Sequence, residues 1–134
     1  MTGSKSDYLE NKLLDHVLGG PDYSRPATVY VALYTVAPTD VGGGTEVSGG
    51  SYARVAVTNN ATNWPAAAEG AKANGIEITF PVATAGWGEC VAFAILDAED
   101  AANFLYWGDL AVAKTVNSGD TAKFPIGDLD ITED

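Results

Sequence analysis

The chain has 134 residues, 46% hydrophobic and 19% charged, which is enough apolar side chain for one packed domain and too little charge for a disordered segment. Seven basic residues stand against 18 acidic ones, a net charge of −11 that repels phosphate backbones and anionic headgroups and argues against nucleic-acid and membrane partners. One cysteine, Cys90, excludes an intrachain disulfide, and the longest obvious apolar run, Cys90 to Leu96, is far short of the roughly 18 residues of a membrane span.

The first thirty residues lack the basic-then-apolar pattern of a secretion signal, so a chain made and used without translocation is expected. A helix is predicted at the start. Asp7 is read as its N-cap with Glu10 three residues on, and Leu9, Leu13 and Val17, joined by Leu14 and Leu18, form an apolar stripe at helical spacing. Gly19-Gly20-Pro21 should end it, because glycine suits a left-handed cap and proline cannot continue the ladder. A helix of two to three turns is marginal alone and must dock on its own domain or on a neighbour.

After Pro26 the period becomes two. Val29 to Tyr34 is β-branched and aromatic, as strands prefer, and ends at Pro38-Thr39-Asp40. The loop from Gly42 to Gly50 has five glycines in nine residues and is expected to be ordered only if something holds it. Tyr52 to Thr58 alternates again. Asn59 to Gly75 reads as a long connection carrying Trp64-Pro65 and ending in the turn signal Asn74-Gly75. Further short strands are predicted at Ile76 to Phe80, Glu89 to Leu96, Asn103 to Trp107, Thr121 to Ile126 and Leu129 to Thr132. Seven strands between Gly, Pro, Asn and Asp turns argue for a mainly β fold: an antiparallel, jelly-roll-like β-sandwich with one N-terminal α-helix. The expected organisation is one domain over 1–134, with 1–25 as a helical docking segment and 26–134 as the sandwich.

Residues suited to catalysis are sparse. His16 is the only histidine and falls in the last turn of the predicted helix, where the dipole favours a surface imidazole. Ser51 and Ser118 lie in glycine-flanked turns and not in a nucleophile elbow. One His and one Cys cannot complete a zinc site, and the acidic clusters at 97–100 and 128–134 do not follow calcium-loop spacing, so no metal and no cofactor is expected. Cys90 is read as a small buried hydrophobe. Trp87 and Trp107 occupy core or corner contexts; Trp64 is the tryptophan expected at the surface, where it would suit a sugar ring or a protein partner. Arg54 is read as pairing with an acid across the sheet. The apolar helix, the glycine-rich loop and the long connection are segments whose ordering cost is recovered only by packing, a pattern of assembly components more than of enzymes. The residues expected to bind partners are Leu9, Leu13, Leu14, Val17, Gly43, Val47 and Trp64.

Tyr8-Leu9-Glu10, Leu13 to Gly20, Pro26 to Tyr34, Pro38-Thr39-Asp40, Ser48 to Arg54, Asn59 to Pro65, Ile78 to Pro81, Trp87-Gly88, Leu105 to Gly108 and Gly119-Asp120 resemble a family of small tailed-bacteriophage virion proteins. Some members are tail-fibre-like, and a small β-sandwich of this size also looks like capsid decoration proteins. Family members end in a Leu-Thr-Ile-Thr strand where this chain has Leu129-Asp130-Ile131-Thr132. The resemblance supplies no catalytic residue. It implies a virion structural protein assembled in the bacterial host cytoplasm and not an enzyme. The first expectation is a capsid decoration (cement) protein contacting the major capsid protein or other virion proteins as a homo-oligomer on a symmetry axis. The second is a tail-fibre or baseplate module touching a host receptor.

Overall fold

The computed structural model of the chain describes residues 2–132. Its elements in order are β1 (Thr2–Lys5), α1 (Asp7–Val17), β2 (Thr28–Val36), β3 (Thr45–Glu46), β4 (Val55–Thr58), β5 (Ala71–Ala73), β6 (Ile78–Thr79), β7 (Gly88–Leu96), β8 (Phe104–Val116), β9 (Lys123–Phe124) and β10 (Asp130–Thr132). The fold is mainly β, all pairing is antiparallel, and α1 is the one helix among the described residues. A six-stranded sheet runs β1-β8-β7-β2-β3 with β4 also on β2, and two ribbons, β10-β5 and β6-β9, complete the framework. No described helix is long and apolar enough to cross a membrane.

The main sheet is buried on both faces, which explains the near-continuous apolar runs of β2 and β7. One face carries Val29, Val31 and Leu33 beside Phe93 and Ile95, in register as Val31 with Ile95 and Leu33 with Phe93. It shares the principal core with residues of the ribbons, among them Ile78, Phe124 and Leu129. The other face is built from Ala32, Ala92 and Ala94 with Tyr34 and Leu96, and Phe104 and Trp107 pack against it. Small residues let these aromatic rings lie close to the backbone. A register shift between Ile95 and Leu96 places Leu105 as the extra residue between Tyr106 and Phe104. The bulge allows Leu105 to join the principal core while Phe104 joins the alanine face.

Buried Asn74 ties the ribbons together. Its side-chain amide donates to the carbonyls of Ile76 at 2.7 Å and Pro125 at 3.0 Å, and its carbonyl oxygen accepts the Leu129 N–H at 2.9 Å. A buried amide with its groups satisfied specifies one geometry.

Several expectations are corrected. The segment 1–25 is not purely helical, because residues 2–5 form an edge strand on β8, with Ser4 opposite Trp107 and Lys5 opposite Tyr106. The helix is capped one residue earlier than expected: the Ser6 hydroxyl accepts the Leu9 N–H at 3.1 Å and donates to the Phe104 carbonyl, which anchors the cap to β8. The stop is as read. Gly19 takes φ +81° and the Gly20 N–H reaches the Asp15 carbonyl at 2.7 Å, a Schellman closure.

All seven predicted strands form at least in part, and β1, β3 and β5 are additional. The glycine-rich loop is held by its own chain. Thr45 and Glu46 pair with β2, the Val47 N–H donates to the Leu33 carbonyl, and the Val47 side chain is in the principal core.

Candidate docking surface

Leu9 sits at the buried end of α1, where the helix meets β8. Leu13, one turn on, is half-buried against the same core. The stripe then runs out of protein to cover it: Leu14, Val17 and Leu18 are 59%, 72% and 75% exposed. Ordinary soluble proteins expose single apolar residues, as Val41, Val112 and Ile126 are here, but these three cluster at one helix end, beyond the turns where Leu9 and Leu13 line an apolar opening.

That opening is a cavity of about 400 Å³ bounded by α1, the strand following it and the long connection. Leu9, Leu13, Val29, Ile95, Leu105 and Ile131 form its apolar walls, and Arg25 and Lys72 also line it. Trp64 closes one side and, against expectation, is only 7% exposed. The connection folds over it: an Asn60 side chain accepts from the Thr62 and Asn63 N–H groups, and the Trp64 N–H donates to the Asn60 carbonyl at 2.9 Å, forming a tight turn that turns the indole inward. Its indole N–H has no hydrogen-bond partner among the described residues.

A family model described as podophage GP4 fiber I protein gp80 matches residues 4–132. The chain belongs to this gp80 fiber family. No curated protein matches it. The family is one of phage virion structural proteins with a tail-fibre-like character, so the resemblance read from the sequence holds across nearly the whole chain.

Of the seven residues expected to contact partners, the fold brings Leu9, Leu13 and Trp64 together around one cavity, and leaves Leu14 and Val17 on the exposed helix end beside it. Gly43 is exposed on the loop and remote from this cavity's lining. Val47 is buried at 4% and so cannot be a surface contact; its apolar side chain serves the core. Sequence reasoning did not single out Arg25, Lys72 and Ile131 as site residues: Arg25 lies in an irregular segment, and Lys72 and Ile131 become neighbours only through the β5–β10 pairing.

The loop side of the chain is closed by a different device. Arg54 donates from Nε and Nη2 to the two Glu46 oxygens, each at 2.9 Å, and from Nη1 to the Glu99 carbonyl at 2.8 Å. The Tyr52 hydroxyl accepts the Leu33 N–H at 3.0 Å and donates to Glu46 at 2.7 Å. Burial, with the Glu46 carboxylate beside it, pushes the Tyr34 phenol up to about 12, and burial together with the hydrogen bond to Glu46 raises Tyr52 as well. The hydrogen bonds to Glu46 hold Arg54 further toward its charged form. This is the cross-sheet pairing expected of Arg54, and it is a bidentate fork that lysine does not reproduce.

The other singled-out residues are in structural positions. His16 is exposed, and its Nδ1 accepts the Tyr23 N–H at 3.0 Å, which folds the segment after the helix back onto it. Trp87 Nε1 donates to the Gly50 carbonyl at 2.9 Å and Trp107 Nε1 to Asp40 at 2.8 Å. Asp97 accepts both the backbone and side-chain N–H groups of Asn103, closing the turn between β7 and β8. No group of three or more His, Cys, Asp or Glu able to hold an ion occurs among the described residues, and Glu133 and Asp134 of the second acidic cluster lie outside them.

Proposed function

We propose that the chain is a subunit of a podophage tail fibre that works by contact alone, seated on a neighbouring virion protein through the α1 end and the cavity beside it. Membership of the gp80 fiber family over residues 4–132 carries the reading. Leu14, Val17 and Leu18 support it, since apolar side chains left open on a docked helix are stabilised by burial in an assembly. The net charge of −11 keeps free copies apart in the host cytoplasm before they meet the particle. Self-association around a symmetry axis belongs to the same proposal. The buried Trp64 removes the main support for a glycan receptor site on that residue.

Immunogold labelling of purified particles, with copy number measured against the major shell protein, tests this. Label at the tail with a handful of copies is expected. Label spread over the head in hundreds of copies selects capsid decoration instead, and particles without the protein end both readings.

A further inference from the structure

We propose that the cavity beneath α1 is a socket for one large apolar side chain with a carboxylate beside it, presented by a neighbouring virion subunit; this deepens the docking role above and rests on it. The cavity's volume of about 400 Å³ falls in the range of ligand pockets, and its walls come from the helix, the sheet and β10, so it is shaped by the fold and not by one loop. Leu9, Val29, Ile95 and Leu105 are each at most 5% exposed, yet the space they border is left unfilled.

The charge at the cavity names the occupant. Only seven cations exist in the chain against 18 acids, yet Arg25 and Lys72 line this apolar space with no acid among its lining residues, whereas a second cavity pairs Lys114 and Lys123 with Asp128 and Asp130. A buried apolar anchor flanked by Asp or Glu matches that pattern, whereas a basic segment or a neutral chain end leaves both cations uncompensated. The Leu9–Leu13–Val17 stripe starts inside the cavity lining and continues into solvent, so an occupant of the socket also covers the open helix end.

The test uses two fluorescent probes with the same apolar body, anilinonaphthalene sulfonate, which carries an anion, and phenylnaphthylamine, which does not. The intact chain is expected to bind the sulfonate roughly tenfold more tightly than the neutral probe. Ala71→Phe, which fills the cavity from β5, should weaken both probes by roughly tenfold or more with near-ultraviolet circular dichroism unchanged. The charge-reversed pair Arg25→Glu with Lys72→Glu, both at irregular or exposed positions, should abolish the preference for the sulfonate and leave the neutral probe unaffected. In particles, both variants should fall in incorporation relative to the unaltered chain. Equal binding of the two probes, or sulfonate binding indifferent to Ala71→Phe and to the charge reversal, overturns the socket. Normal incorporation of variants that have lost the probe overturns it too while leaving the fibre role standing; a protein missing from particles, with probe behaviour as expected, removes the fibre role instead. Concentration-dependent self-association that disappears on charge reversal makes the occupant a second copy and overturns the assignment to another subunit.

Discussion

The glycine-rich loop at 42–50 and the outer end of α1 look alike as sequence, since both are segments with more ordering cost than visible packing, yet the fold treats them in opposite ways. The loop is consumed internally. Two of its residues pair with β2, Val47 enters the core, and Gly44, at φ +73°, packs so close to Val36 and Pro38 that a Cβ would meet the Val36 carbonyl at 2.6 Å. The helix end receives no such cover, and Leu18 stays 75% exposed. Gly44 and Gly50 therefore mark close backbone approach within the chain, whereas an apolar stripe that outlasts its intramolecular contact points outward.

Substitutions should separate the two regions sharply. Gly44→Ala forces a left-handed conformation on a residue with a Cβ and drives that Cβ into backbone, so a loss of roughly 3 kcal/mol is expected in chemical denaturation; Val47→Ala in the same loop should cost about 2 kcal/mol by lost burial. Either result near zero breaks the view that the loop is structural.

High pH sharpens the comparison further. Tyr34 is raised to about 12 and Tyr52 is raised too, so the folded state favours their neutral forms. Their contribution is complete below the unfolded value near 10 and is lost as pH rises through the folded values. A titration followed by circular dichroism should show destabilisation beginning above pH ~10, reduced in Tyr34→Phe. A flat profile there would mean that the ring environment around Glu46 is not closed. The smallest change in stability is expected at the helix end: Val17→Ser with Leu18→Ser should stay within about 0.5 kcal/mol of the unaltered protein while lowering incorporation into particles. A large drop in melting temperature would show that these side chains serve the fold.

Much of the architecture was legible in the residues. β-branched, aromatic and apolar runs between turn residues located β2, β4 and β7, and the glycine pair after Leu18 located the helix end, because these signals are local and strong. The miscalled cap is a one-residue matter: Ser6 and Asp7 are both good caps, and the choice fell to Ser6 because its hydroxyl also reaches Phe104, a contact 98 positions away. Strands β1, β3 and β5 are short and have weak periodicity; their existence is decided by partners far along the chain. Trp64 was misplaced for a related reason. Its Pro65 neighbour and polar surroundings describe a loop well, but not that the loop curls over a cavity. Half of the candidate site is legible: the helical leucines follow from spacing, whereas Lys72 is placed by the β5–β10 pairing and Arg25 sits in an irregular segment with no periodic signal.

The antiparallel register of β1 against β8, with Gly3 opposite Gly108, has an implication for how the particle is built. The Asp7 N–H reaches the Asp40 carbonyl, but β1 pairs with β8 and the Ser6 cap reaches Phe104 and Leu105, so the strand is not paired until the ribosome has synthesised about four-fifths of this sequence. Such distant closure is slow relative to local helix formation. On the docking proposed above, a nascent or truncated polypeptide lacks the paired strand that leads into the helix, and molecules that have closed the sheet are the ones expected to seat.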